Sequence, residues 1–196
     1  MKAVATTIAD VQIIEPDVFE DNRGSFFESY NERVLAEFGI SGRFVQDNQS
    51  FSRRDVVRGL HYQIQQPQGK LIRCLSGEIF DVAVDLRRHS PTFCQWVGQT
   101  LSGSNRQMLW IPPGFAHGFM VLSEGAEVLY KATDFYAPKH ERTLLWNDAA
   151  MKIDWPRKHR AILSAKDLAG KTLDHAEVYE QMGHPAENTP ARAVAS

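Results

Sequence analysis

Cysteine is scarce in this chain: Cys74 and Cys94 are the only two. Two thiols cannot build the disulfide framework of a small secreted domain, so free, buried thiols and a cytoplasmic location are expected. An excess of one charge is also missing, with 22 Lys+Arg against 24 Asp+Glu and a formal net charge of -2. Without a basic run the chain shows neither a nucleic-acid footprint nor a polybasic membrane surface, which leaves a small molecule or another protein as the expected partner. Long apolar runs are absent as well: no segment approaches the ~18 residues of a membrane helix. The opening MKAVATTIADVQII lacks the continuous apolar stretch of a standard export signal, so neither export nor insertion is expected. Internal repeats are not evident.

What is present is ordinary globular composition, 43% hydrophobic and 23% charged over 196 residues. That is enough for one well-buried core and too little for two. A single domain over residues 1–183 is expected, followed by a flexible tail over 184–196, which is small, Pro-containing and poor in large apolar groups.

Short alternating runs separated by turn signals dominate from about residue 10 to 145, the pattern of an antiparallel sandwich or barrel. The clearest strand is Ile79 to Leu86, with Phe80, Val82, Val84 and Leu86 on one face and Asp81, Ala83 and Asp85 on the other. Parity alone puts the two aspartates at the surface. Ser76-Gly77 just before it reads as a hairpin turn after a strand from Leu71 to Leu75. Further strands are predicted over Val11–Ile14, Ser25–Tyr30, Phe44–Ser50, Val56–Gln63, Gln107–Ile111, Gly118–Leu122 and Glu127–Thr133. Asn31 to Phe38 breaks the alternation and reads as a short helix capped by Asn31. A second helix starts at Ser164, where Ser164-Ala-Lys-Asp167 has capping-box spacing.

Two histidines stand in unusual company. His61 lies in Arg58-Gly-Leu-His-Tyr-Gln63, with Gln68-Gly-Lys70 close behind, so an imidazole, two cations and two glycines are concentrated on one strand pair. Imidazole titrates near neutrality and suits proton transfer. His117 closes Pro112-Pro-Gly-Phe-Ala-His117, where proline and glycine form a turn that delivers the histidine onto the next strand. This P-x-G-x-x-H segment resembles the second motif of the cupins, small β-barrel jelly rolls. Many cupins hold a metal with an H-x-H pair and a downstream acid. Here the second histidine is replaced by Gln63 and the acid by Pro67 or Gln68, so no metal and no organic cofactor are expected.

The whole pattern resembles one family, the dTDP-4-dehydrorhamnose 3,5-epimerases of deoxysugar synthesis. The resemblance runs from about residue 10 to 170 in an ordered series of segments. They are Asp21-Asn-Arg-Gly-Ser-Phe-Phe-Glu28, Phe44-Val-Gln-Asp-Asn48, Arg58 to Gln63, Gln68-Gly-Lys70, Gly77 to Arg87, Ile111 to Phe119, Leu129-Tyr-Lys131 and Leu163-Ser-Ala-Lys-Asp167. It implies a mainly β, cupin-type jelly-roll homodimer with exchanged N-terminal strands and a dTDP-sugar as substrate. It further implies that His61 is the general base, held by Asp167, that Tyr130 is the acid on the opposite face of the sugar, and that Lys70 faces the C4 carbonyl. Arg23, Glu28, Gln46, Asp47, Asn48, Arg58, His117, Glu141 and Lys166 match substrate-contacting positions, and Tyr136 matches the aromatic that stacks on thymine. With strand exchange, Arg23 and Phe26 would serve the partner's pocket. Gln49 departs from the family pattern, where histidine is common, and Ala149 replaces a proline.

These residue types suit the chemistry. In a 4-keto sugar the hydrogens at C3 and C5 flank one carbonyl, so one base and one enolate site serve both inversions. A cation at the C4 oxygen stabilises the enolate, a phenol reprotonates it from the other face, and arginines pair with the diphosphate. Asp167 has two readings, helix cap or catalytic partner, which are compatible. Arg58 and His61 have opposite parity on a regular strand, and a bulge at Gly59 would bring both to one face. Two rival functions are a relative that inverts a single centre and a non-catalytic sugar-nucleotide-binding cupin.

Overall fold

Leu71 to Leu75 and Ile79 to Leu86 do form strands, but not with each other. In a computed structural model that describes residues 1–180, β1 (Lys2–Ala5), β2 (Gln12–Glu15), β10 (Met108–Ile111), β7 (Lys70–Ser76), β12 (Gly125–Ala132) and β5 (Gln46–Arg53) make one six-stranded sheet in that order. The order β13 (Glu141–Thr143), β6 (Val57–Gln63), β11 (Phe115–Val121), β8 (Glu78–Asp85), β9 (Trp96–Ser102) makes a facing five-stranded sheet. The predicted Ser76-Gly77 hairpin is therefore wrong: the turn carries the chain from one sheet to the other. A turn signal reports a reversal of direction, not which strand will supply the hydrogen bonds. Pro112-Pro113-Gly114 makes a second such crossing, from β10 to β11. This two-sheet antiparallel sandwich is consistent with the predicted cupin-type jelly roll.

The predicted helix is present as α1 (Glu32–Glu37), with the Asn31 side chain accepting from the backbone N–H groups of Arg33 and Val34. The one at Ser164 is a single turn, α2 (Ala165–Leu168), capped by Ser164. Four strands had no periodic signature to find them by: β1, β3 (Val18–Asp21), β9 and β13. Strand β1 is exposed throughout and β13 has three residues. Strand β3 pairs only with β4 (Gly24–Phe27), and the two form a separate ribbon carrying the exposed rings of Phe19 and Phe26. The predicted tail lies outside the described residues.

Three apolar clusters hold the layers together. The first fills the space between the sheets and includes Ile72, Ile79, Ala83, Leu109, Phe119, Val121 and Val128. The second lies on the outer face of the five-stranded sheet, where Val82, Val84, Leu86, Ala116 and Met120 meet Trp146, Met151, Trp155 and Tyr179 of the C-terminal segment. The third seats α1 against the six-stranded sheet through Leu35, Ile40 and Trp110.

The second cluster overturns the surface reading of Asp81 and Asp85. Both are 0% exposed. Strand β8 is covered on both faces, so its aspartates point into the sandwich and its apolar residues point outward under the C-terminal cover. Asp85 accepts hydrogen bonds from Arg87 Nε (2.9 Å), Arg87 Nη2 (2.7 Å), Ser90 Oγ (2.6 Å) and Thr92 Oγ1 (2.7 Å). Burial would raise its pKa, but these donors outweigh burial and hold the carboxyl below the usual range.

The C-terminal cover is stitched to the sheet as well as packed on it. Tyr62 Oη donates to Glu177 O and Tyr179 Oη to Gln63 O, both at 2.6 Å. Trp155, 2% exposed, donates from Nε1 to Trp146 O at 2.8 Å. Trp155→Ala should lower the unfolding free energy by about 3–5 kcal/mol in urea denaturation. A loss below about 1 kcal/mol would show that the cover contributes little to the fold.

Candidate active site

The strands converge on a cavity of about 280 Å³ between the sheets, open at one end. Strand β6 brings Arg58 and His61 to its wall, β7 brings Lys70, β11 His117, and β12 Tyr130. The parity conflict between Arg58 and His61 is resolved at Gly59. Against β11, Arg58 lies opposite Phe119 and His61 opposite His117, so β6 carries an extra residue there. Gly59 has φ +102° and passes so close to β11 that a Cβ would lie 2.5 Å from His117 O. Only glycine meets both conditions.

His61 is joined to Asp167 across 106 residues of sequence by an Nε2 to Oδ1 contact of 2.6 Å. Asp167 is 4% exposed. Its other oxygen accepts from Ser164 Oγ at 2.8 Å, and its backbone N–H donates to the same hydroxyl at 3.1 Å. The residue thus serves in the helix cap and holds the histidine. Burial would raise the Asp167 pKa, but hydrogen bonds from His61 and Ser164 outweigh it and keep the carboxyl below its ordinary value. An ionised Asp167 can only accept, so Nε2 of His61 carries the proton and Nδ1 is left as the ring's basic atom.

Lys70 is 8% exposed, and burial pulls its pKa down to about 8 against the charges of Asp81 and Glu141, which raise it. Its Nζ points to His61 O at 3.5 Å and stands 6.0 Å from the centre of the Tyr130 ring. Burial raises the Tyr130 pKa, so the phenol keeps its proton. Beneath these groups His117 Nε2 meets Asp81 Oδ2 at 2.9 Å. Burial disfavours charge on both partners, lowering His117 and raising Asp81. Asp81 belongs to the floor of the site. The sequence reading missed it because β8 alternation gives no sign of which face is interior.

The rim is built from a second network. Tyr136 donates from Oη to Glu141 Oε2 at 2.8 Å and from its backbone N to Gln46 Oε1 at 2.9 Å. Glu141 also pairs with Lys166 at 2.5 Å, and Gln46 Nε2 donates to Asn48 Oδ1 at 3.0 Å. Tyr136 is 52% exposed, a ring standing free at the mouth. Asn48, Arg58, His61, Lys70, His117, Tyr130, Tyr136 and Glu141 all line the cavity, and Asp167, Lys166 and Gln46 support lining residues.

Four predicted residues are not brought there within one chain. Arg23 pairs with Asp21 on the ribbon with its side chain 85% exposed, and Phe26 is 73% exposed beside it. Glu28 accepts from Asn31 Nδ2 at 3.1 Å. Asp47 points to the outer face of β5 and pairs with Lys131 at 3.0 Å. The lining also includes Gln49, Ser50, Tyr62, Gln63, Gln68 and Phe119, none of which the sequence reading named as a site residue.

A cupin-type metal does not fit the residues present. Gln63, at the place of a second ligand histidine, spends its amide on the fold. Nε2 donates to Gln66 O (2.7 Å) and Phe135 O (3.2 Å), and Oε1 accepts from Ala137 N (2.7 Å). Among the described residues no group of three or more His, Cys, Asp and Glu side chains is placed to hold an ion.

Comparison with known proteins identifies a family. A family model for dTDP-4-dehydrorhamnose 3,5-epimerase matches residues 5–175. The enzyme of that name from Pseudomonas aeruginosa is 59% identical over 180 residues, which cover 91% of this chain and 99% of that one. The crystal structure of the Legionella pneumophila dTDP-6-deoxy-D-glucose-3,5-epimerase in complex with dTDP-4-keto-L-rhamnose superposes with a TM-score of 0.90. It is 48% identical, with coverage of 93% of this chain and 99% of that one. A 3'-monoepimerase from Streptomyces bikiniensis, in complex with dTDP-quinovose, superposes at a TM-score of 0.81 with 28% identity, covering 87% of each chain. On the extent of these matches, this chain belongs to the dTDP-4-dehydrorhamnose 3,5-epimerase family.

Proposed function

We propose that the chain converts dTDP-4-dehydro-6-deoxy-D-glucose to dTDP-4-dehydro-L-rhamnose by inverting C3 and C5 through an enolate, with no metal or organic cofactor. The observation that carries this is the convergence of the His61–Asp167 pair, Lys70 and Tyr130 on one cavity. His61 removes the proton next to the C4 carbonyl, and the imidazolium so formed is stabilised by Asp167. The Lys70 ammonium takes up the negative charge developing on the C4 oxygen. Tyr130, protonated, returns a proton from the other face. Binding alone would need no such base, acid and cation around one space.

Arg58 and Asn48 serve the nucleotide end, and Tyr136 offers its free ring to thymine, with Gln46, Glu141 and Lys166 around it. Arg58 is the one arginine among the cavity's lining residues, whereas a diphosphate suits two. The second comes from a partner copy. The ribbon's exposed Phe19, Arg23 and Phe26 support a homodimer in which strand exchange delivers Arg23, Phe26 and Glu28 to the neighbouring cavity, with Asp47 at its edge. The free thiols of Cys74 and Cys94 support a cytoplasmic location, and no helix among the described residues is long and apolar enough to cross a membrane.

Three measurements test the roles. In deuterated water, proton NMR of the wild type with its 4-keto substrate should show label entering both C3 and C5. His61→Ala should abolish both, by at least 10²-fold. Label at one centre only in the wild type would mark a single-centre relative, and none a binding module.

Tyr130→Phe should separate exchange from inversion. Deprotonation by His61 persists, the abstracted proton exchanges with solvent on the imidazolium, and a deuteron returns to the same face, so label enters the starting sugar while epimer formation falls by at least 10²-fold. An unchanged ratio of epimer to label would remove Tyr130 from the mechanism.

The third is a pH profile. Lys70 is cationic below its pKa of about 8 and neutral above it, so kcat/KM, which follows the free enzyme, should fall as pH rises through about 8. Lys70→Arg, whose cation persists, should lose that alkaline limb. A limb identical in both proteins would assign it to another group.

A further inference from the structure

Along β5 the residues Gln46, Asn48, Ser50 and Ser52 alternate toward the interior of the sandwich. Three of the four have a side-chain polar atom engaged in a hydrogen bond. Gln46 and Asn48 bond to each other, and Ser52 Oγ accepts from Arg58 Nε at 2.8 Å. Ser50 is the exception. Its Oγ is buried from solvent without a hydrogen-bond partner, one of two such side-chain atoms among the described residues. The other, Arg54 Nε, does not belong to a residue lining the cavity. Directly across the ladder from Ser50 is Val128, fully buried and with no polar side-chain atom to offer.

A buried hydroxyl left unpaired costs free energy until a partner reaches it, and Ser50 lines the same cavity as Arg58, Asn48 and Tyr130. Its position selects the partner. Ser52, two residues on and roughly 7 Å away along the strand, anchors the Arg58 guanidinium, so an anion paired with Arg58 lies within reach of the Ser50 row. A hydroxyl that donates to an anion makes a short, charge-assisted bond and needs no protonation change.

We infer that Ser50 is a further binding residue, whose hydroxyl donates to a phosphate oxygen of the nucleoside diphosphate that Arg58 holds; this rests on the nucleotide-sugar reading above. The test is calorimetric titration of wild type and Ser50→Ala with dTDP and with the 4-keto dTDP-sugar, alongside ligand-detected NMR with thymidine and a thermal melt to confirm the fold. The expected result is a loss of dTDP affinity of roughly tenfold or more, a comparable loss for the dTDP-sugar, and unchanged thymidine binding. Unchanged dTDP affinity overturns the inference, as does a loss equal for thymidine and dTDP. A loss confined to the dTDP-sugar would place Ser50 on the sugar and overturns the phosphate assignment. If the wild type itself bound no dTDP, the nucleotide reading would fail before Ser50 entered it, so the two failures are distinguishable.

Discussion

A β-sheet with apolar side chains on both faces needs a cover on each, and the five-stranded sheet here has one face toward the other sheet and one toward the C-terminal segment. Trp146, Met151, Trp155 and Tyr179 close the outer face over Val82, Val84, Leu86 and Met120. That packing frees the inner face to carry polar residues, because the outer cluster supplies apolar burial that an ordinary sandwich must find between its sheets. The same segment that covers the sheet also carries α2, and α2 carries Asp167 to His61. Stability and the geometry of the His61–Asp167 pair therefore depend on one piece of chain.

Inside the sandwich the ionisable groups answer one another. Lys70 loses water and is depressed to about 8, yet the charges of Asp81 and Glu141 oppose the loss. Asp81 is paired with His117, and Asp167 is held by two donors. In a region of low effective dielectric, an unpaired charge would be costly and a paired one acts strongly on whatever enters. An ammonium already in place can stabilise negative charge that develops beside it without solvent having to reorganise. The carboxylates do different work by position: Asp167 orients His61, Asp81 anchors the floor, and Asp85 ties the Arg87–Thr92 loop with five hydrogen bonds.

The rim contrasts with this floor. Tyr136, Glu141 and Lys166 are tied to each other by side-chain contacts at the surface, where each bond is worth less and is more easily exchanged for contacts to a ligand. Lys166 neighbours Asp167 in sequence, so the rim network and the partner of His61 meet on a single helical turn.

Much of this was legible in the sequence. Alternation over residues 10–145 implied a mainly β sandwich or barrel, because the period of side chains along a strand is local. Asn31 and Ser164 announced their helices for the same reason, a cap being satisfied within three residues. The spacing around Arg58, His61, Lys70 and His117 marked the strands that form the cavity, and Gly59 marked the bulge that turns two of them to one side. What only the tertiary structure decided were relations between distant residues. Ser76-Gly77 joins two sheets rather than two paired strands, since strand pairing is chosen by long-range hydrogen bonds and not by the turn. Asp81 and Asp85 are interior, since parity separates two faces without saying which is wet. Ser50 is an unpaired wall residue, since a hydroxyl's partners depend on everything packed around it. The contact between His61 and Asp167 exists because a covering segment had to cross the sheet, and hydrophobic burial on the far side of that sheet set where it crossed.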